Sequence, residues 1–490
     1  MTPENTAAGP LIFEYSSPGR RGMLFEPVAA PAAPAPPWAA RKNPPLLPET
    51  SEVEVTRHYT RLSHLNFSVD THFYPLGSCT MKYNPRANER LAALDGFTAA
   101  HPYQDDADVE GLLEVLWNLQ NYLAEIAGLD AVTLSPAAGA HGELAGMMVI
   151  AAYHRDRADK RNVVLIPDSA HGTNPASAAL CGFVPEVIAT DAEGRIDRAA
   201  LRKRATGDVA ALMVTNPNTL GIFESHIKEI SAILHDAGAL VYMDGANMNA
   251  LMGITRPGDF GVDVMHYNPH KTFSAPHGGG GPGAGPVAVR KMLEPYLPVP
   301  RVIKRQEGFA LSCDAPKSIG RVRSFAGNIG VLVKAYLYIR SMGPDGLARA
   351  GNMAVFNSDY LRAKVSRILP LAYPTNTRHE FVVTAEKLAK KGIRALDIAK
   401  RLLDYGFHPP TIYFPLIVHE ALMIEPTETE SPETLDAFAA ALAAIVEEAR
   451  TNPEIVTSAP HTMPVGRLDD VRAVKEPRLT WTPPENKDVS

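Results

Sequence analysis

Ala210-Ala211-Leu212-Met213-Val214 is an apolar run halted by Asn216-Pro217, and Leu240-Val241-Tyr242-Met243 is another that ends on Asp244. Between them, Ile227 to Ala237 repeats its apolar residues at helical spacing. A strand without polar alternation is buried on both faces, and two such strands joined through a helix make a right-handed crossover in a mainly parallel sheet. The pattern continues upstream. Val163-Val164-Leu165-Ile166 is a third run, stopped by Pro167, and Leu112 to Ile126 has the spacing of a helix. The expected class is α/β, a mainly parallel sheet with helices on both faces. Ligands of such sheets bind beyond the carboxyl ends of the strands, and polar residues follow each of these runs.

Downstream of about residue 350 the pattern changes. Ala395 to Tyr405 and Pro432 to Arg450 read as helices, with a short Tyr413-Phe414-Pro415-Leu416 segment between them, as in a smaller α+β domain. At the other end, residues 27–48 hold eight prolines among many alanines. Proline excludes both helix interior and central strand, so an extended, partly polyproline arm is expected. The expected organisation is an arm over residues 1–60, a large ligand-binding domain over 61–345 and a small domain over 346–490 with a polar tail. No internal repeat stands out.

Composition removes several classes. The chain has 490 residues, 45% hydrophobic and 21% charged, with net charge −6. That balance offers nothing to nucleic acid or an anionic membrane. Its apolar runs fall far short of the roughly 20 residues that cross a bilayer. Met1 to Pro10 hold one acid and no basic or apolar run, unlike a signal or transit peptide. The three widely spaced cysteines, Cys79, Cys181 and Cys313, fit a reducing cytoplasm rather than a disulfide framework.

Four clusters carry the chemistry. Ser135 to Glu143 contains Ala138-Gly139-Ala140 and leads into an apolar helix, where small residues and the helix N-terminus favour an anion; a plain helix-start turn reads the same way. Asp168 to Pro175 contains His171, which can stack on a flat ligand or be purely structural. Asp244 to Asn247 places a carboxylate and Ala246 at a strand end, where the carboxylate is either a cap or the partner of a protonated ring nitrogen. Asn268-Pro269-His270-Lys271 precedes the glycine run Gly278 to Gly281, and a lysine in a dry cleft can form a Schiff base. Together they meet the needs of pyridoxal 5'-phosphate (PLP), which requires a phosphate cradle, a ring sandwich, a pyridinium partner and a lysine. On this reading Lys271, Asp244 and His171 are catalytic. The helix start at Ala138-Gly139-Ala140 and His270 hold the phosphate, Asn218 bonds the ring hydroxyl, and Ala246 lies beside the ring. No metal site is expected.

The chain resembles the P-protein family of the glycine cleavage system in its two-subunit bacterial form. The resemblance rests on Leu11 to Glu14, Ser17 to Arg21, Leu76-Gly-Ser-Cys-Thr-Met-Lys-Tyr-Asn-Pro85, Ala131 to Gly146, Ser169 to Ser177, Thr215 to Glu224, Asp244 to Asn249 and Asn268 to Lys271. It implies PLP fold type I, the aspartate-aminotransferase-like architecture, with Lys271 as Schiff-base lysine, Asp244 at the ring nitrogen and His171 stacked on the ring. It also implies decarboxylation of glycine, with the aminomethyl group passed to the lipoyl arm of the H-protein. A homologous subunit 1 in an α2β2 heterotetramer is the implied partner. His379-Glu380-Phe381 also resembles the family, whereas Thr377-Arg378 departs from its pattern, and Arg378 receives no role.

Two other readings stay open on the residues alone. One is a different fold-type-I enzyme, an aminotransferase or an amine-releasing amino-acid decarboxylase. The other is a catalytically dead scaffold, which predicts loss of the lysine or the aspartate; both are present.

Overall fold

The computed structural model describes residues 9–24, 36–42, 45–277 and 283–480. The glycine run Gly278 to Gly281, residues 27–35 of the proline-rich stretch and the last ten residues lie outside them. The chain forms two compact units, Val69–Thr457 and a smaller one made of Met1–Ser68 with Ser458–Ser490.

In the larger unit a seven-stranded sheet is built from β1 (Ala131–Thr133), β2 (Val163–Pro167), β3 (Val184–Ile188), β4 (Val209–Thr215), β5 (Leu240–Gly245), β6 (Val264–Tyr267) and β7 (Val287–Val289). Their order is β1-β7-β6-β5-β4-β2-β3. β3, β2, β4, β5 and β6 run parallel, and β7 is antiparallel to both β1 and β6. Every residue of β2, β4, β5 and β6 is buried, which is why the three runs read from sequence lack alternation. The helices Glu110–Ala127 and Ile227–Asp236 pack in one apolar layer on the sheet, and Gly139–Asp156 in the layer on its other face. Because β2, β4, β5 and β6 are parallel, the segments after them emerge along one edge. A hairpin, β8 (Arg301–Lys304) with β9 (Phe309–Ser312), follows the sheet.

The long helix Ile329–Val365 bends at Gly343, whose φ is 61°; the expected boundary at 345/346 falls two residues beyond that bend. A second core then forms around the antiparallel strands β10 (Phe381–Thr384), β11 (Thr411–Ile412) and β12 (Ala421–Ile424), covered by the helices Ala395–Asp404 and Pro432–Thr451. Pairing puts Phe381 opposite Ile424, so Glu380 and Glu425 leave the same end of this small sheet.

The smaller unit holds the helix Glu52–His64. Ser51 caps it, accepting from the Glu54 amide at 3.3 Å while Glu54 accepts from the Ser51 amide at 2.8 Å. Tyr15 is tied back to this helix by Arg61, 2.9 Å from its hydroxyl. The tail from 470 carries a short exposed helix, Asp470–Lys475.

Candidate active site

The carboxyl edge of the large sheet opens onto a cleft of about 500 Å³, the size of a small-molecule site. A hollow of about 580 Å³ lies elsewhere, beside Gly343 and Arg256, and holds none of the residues singled out above. The cleft is lined by Gly139, Ala140, His171, Asp244, Ala246, His270 and Lys271. Ala138 sits behind them as the N-cap of the helix Gly139–Asp156. Four separate post-strand clusters therefore converge. Asn218 does not line the cleft. Its carboxamide closes its own turn, donating to the Gly194 carbonyl at 2.7 Å and accepting from the Leu220 and Ile222 amides at 3.0 and 3.1 Å. Asn218, expected at the ring hydroxyl, is engaged in these bonds and stands outside the cleft lining.

Lys271 follows β6 on a single turn of helix, Pro269–Thr272, and its Nζ donates to the Ser78 carbonyl at 2.7 Å. Asp244 ends β5 and is 3% exposed. Burial alone would raise its carboxyl. His266 at 3.3 Å, the Ala246 amide at 2.9 Å, the nearby Lys271 charge and Asn174 at 3.1 Å outweigh burial and hold Asp244 below the ordinary aspartate range. Glu143, one turn into its helix, meets the opposite fate. Burial first, and the Asp244 charge second, push it up to about 8, against the donors Asn174 and Thr173 at 2.9 Å and the Lys271 charge. Asn174 bridges the two carboxyls, so Asp244 carries the charge and Glu143 the proton.

His270 is buried edge-on against His277, with ring centroids 5.1 Å apart. Desolvation and the neighbouring His277 bring it down to about 3, so it is neutral at physiological pH. His171 sits exposed at the rim. Its Nδ1 is 3.0 Å from the Thr173 hydroxyl and its ring edge-on to Phe414 at 5.5 Å.

Several cleft residues were not assigned from sequence. Glu143 stands inside a quoted motif without a role. Ser78 and Cys79 come from the Leu76 to Pro85 stretch and lie in the cleft with Lys271, whose Nζ donates to the Ser78 carbonyl. Thr215, Thr219, Asn247, Thr411 and Phe414 also line it. Behind them His266 touches Asp244, with its other ring nitrogen 2.7 Å from the Tyr242 hydroxyl. The apolar run Val264 to Tyr267 hides His266 as a core position; it is the register of β6 on β5 that sets it opposite Asp244.

The residues fit a polar, phosphorylated aromatic ligand. Ser78 Oγ, Thr215 Oγ1, Asn247 Oδ1 and His270 Nδ1 are all buried without a hydrogen-bond partner, and all belong to cleft residues; buried polar atoms ordinarily have partners. A β-carbon on Gly139 would overlap the Asn268 carboxamide, so glycine here lets Asn268 pack against the start of the helix.

The sequence model of the family described as glycine cleavage system P-protein matches residues 33–307, and that of the glycine dehydrogenase C-terminal domain matches residues 350–461. The chain belongs to the glycine cleavage system P-protein family. Relatives named probable glycine dehydrogenase (decarboxylating) subunit 2 are similar over nearly the whole length. That of Chlorobium chlorochromatii is 55% identical, covering 95% of this chain and 98% of the relative. That of Caldanaerobacter subterraneus subsp. tengcongensis is 54% identical, covering 96% and 98%. Among solved structures, a glycine decarboxylase (P-protein) in inhibitor-bound form superposes with a TM-score of 0.68 at 23% identity, covering 86% of this chain and 92% of that one. A cysteine desulfurase from Thermococcus onnurineus gives 0.61 at 15% identity, covering 77% and 95%. The expected fold class, PLP fold type I, is thereby met. No helix among the described residues is long and apolar enough to cross a membrane.

Glu143 yields a prediction that needs no ligand. With its folded pKa raised, it keeps its proton from about 4.5, where the unfolded chain releases one, to about 8. Stability falls across that window as pH rises, by up to about 1.4 kcal/mol per pH unit. Glu143→Gln keeps the shape and cannot ionise, so its denaturation midpoint should fall less than that of the wild type between pH 5.5 and 7.5. Parallel pH profiles would mean that Glu143 is ionised throughout.

Proposed function

We propose that this chain is the PLP-carrying subunit of a glycine-decarboxylating enzyme, releasing CO2 and passing an aminomethyl group to the lipoyl arm of an H-protein. The observation that carries this reading is the convergence of the Lys271 amine and the ionised Asp244 on one cleft in a chain of the P-protein family. When bound, PLP supplies an electron sink for the pair of electrons left as the carboxylate departs.

The chain's own residues account for the rest. Lys271 would provide the amine that holds the coenzyme. Asp244 holds a proton at the ring nitrogen, kept ionised by its four partners, while the proton on Glu143 spares the site a second negative charge. The start of the helix Gly139–Asp156 aims its amides at the phosphate, with neutral His270 beside it. His171 and Ala246, which line the same cleft, would contact the ring. Phe414 walls the cleft and excludes water, which favours loss of a carboxylate's charge. The location consistent with these features is the cytoplasm, and the partner is a homologous subunit 1 in an α2β2 assembly.

The experiment is carbon exchange between labelled bicarbonate and glycine, with lipoyl carrier, with and without subunit 1. Exchange that needs both carrier and partner supports the proposal. Methylamine release without carrier, or amino transfer to a keto acid, would replace it with one of the other fold-type-I activities. Full activity of the isolated chain as a monomer would remove the partner from it.

The rim histidine provides a gentler check. A stacked ring contributes on the order of 1 kcal/mol beyond its burial, so His171→Ala should weaken PLP binding by roughly fivefold. Because His171 is exposed, the melting temperature should hardly move. A collapse in melting temperature with unchanged PLP affinity would make it a structural residue.

A further inference from the structure

The loop Gly77-Ser78-Cys79-Thr80 carries two non-glycine residues at positive φ, Ser78 at 60° and Thr80 at 32°. Such conformations persist only where the surroundings enforce them. Here two fully buried carboxylates do so. Glu380 accepts from the Ser78 amide at 2.7 Å, and Glu425 accepts from the Thr80 amide at 3.0 Å and from its hydroxyl. Both acids leave one end of the small sheet, and the Glu425 amide and an isolated bridge from Leu76 to Ile424 dock the loop's start on β12. Glu380 also grips the opposite wall of the cleft, accepting from Asn247 Nδ2 at 3.1 Å. The captured loop in turn presents the Ser78 carbonyl to Lys271 Nζ at 2.7 Å.

We propose that Glu380 is a positioning residue for the Lys271 amine, acting through Ser78 and not by contact with any reactant. It is the link by which the small sheet fixes where the lysine of the large sheet points. Taking Lys271 as the reactive lysine rests on the reading above; the hold that Glu380 exerts on it is a separate matter.

The acceptor pattern makes the proposal sharp. Both partners of Glu380 are donors that cannot turn round. Ser78 offers a backbone N–H, and Asn247 is fixed because its Nδ2 also donates to the Pro217 carbonyl at 2.9 Å. Glutamine at 380 must therefore face one of them with its own NH2. At Glu425 one partner is the Thr80 hydroxyl, which can reverse and accept, so glutamine fits. The same chemical change should release the loop at one position and not at the other.

The test reads the amine itself in the full-length chain without added coenzyme. Each protein is treated with trinitrobenzenesulfonate, and labelling of Lys271 is followed by peptide mass spectrometry, with the exposed Lys317 as internal reference. A lysine held on the Ser78 carbonyl attacks slowly, and a released one attacks faster. Glu380→Gln should speed Lys271 labelling by roughly three- to tenfold, the equivalent of one lost hydrogen bond, and leave Lys317 unchanged. Glu425→Gln should label at the wild-type rate. Glu380→Asp keeps the carboxyl group but retracts it by one methylene; it should give a smaller increase and serves as the deciding variant if the glutamine protein does not fold. Wild-type labelling in the folded 380 variants, or an increase shared by Lys317, would overturn the proposal. Borohydride mapping to a different lysine would instead overturn only the reading of Lys271.

Discussion

Lys271→Ala should eliminate covalent retention of PLP and reduce glycine decarboxylation by a factor on the order of 10³ or more, as removal of a covalently acting residue does. Stability should barely change. Among the described residues the side chain makes one hydrogen bond, to the Ser78 carbonyl, and such a bond is worth about 1 kcal/mol. Activity and folding therefore separate cleanly in this variant. The rival lysine is Lys82, which reaches the same turn of helix from the other side. Its Nζ is buried against Asn249 at 2.8 Å, the Thr272 carbonyl at 2.8 Å and Glu428 at 2.7 Å. Burial would lower its pKa, but Glu428 and Tyr338 more than compensate and keep it charged. A permanently protonated amine with three acceptors around it is no nucleophile; it braces Thr272 and hence its neighbour Lys271. Reduction with borohydride and peptide mapping should thus mark Lys271 in the wild-type protein. A mark on Lys82 would reverse the two assignments.

The sheet was legible because its central strands are buried on both faces, so Val163 to Ile166, Ala210 to Val214 and Leu240 to Met243 stand out as uninterrupted apolar runs. The edge strand Val184–Ile188 was not, since Pro185 and Glu186 interrupt it and Val184 and Val187 face solvent. The three-residue strands β1 and β7 are too short for any period to register. In the site, Lys271, Asp244 and His270 were readable from local context, each just past a strand. The hydrogen bonds of Asn218 were not readable, because the sequence does not say which partners an amide in a turn will find. The Glu380 and Glu425 contacts were invisible for a different reason. They bridge 302 and 345 positions, and only folding brings them to Ser78 and Thr80.

Asp244→Asn should still bind PLP, and should lower turnover about ten- to a hundredfold. A hydrogen bond to a charged group is worth about 1.5–3 kcal/mol, and that is the range lost if it acts in the rate-limiting barrier. An amide cannot hold the ring-nitrogen proton as a carboxylate does, and it must also turn its NH2 toward Asn174 or the Ala246 amide, both donors. The variant has a second consequence. Glu143 lies within 4.8 Å of the Asp244 and His266 ligand atoms, and the Asp244 charge is the second cause of its raised pKa. With that charge gone, Glu143 releases its proton at lower pH and supplies a negative charge beside the vacated position. Residual turnover of Asp244→Asn should therefore rise with pH through the neutral range, whereas Glu143→Gln alone, already the image of a protonated acid, should keep near-normal turnover. The double variant should lose much more than the two single losses combined, since each acid can stand in for the other's charge. Additive losses would show that the acids act independently, and near-wild-type turnover in Asp244→Asn would reduce Asp244 to a cap on the end of β5.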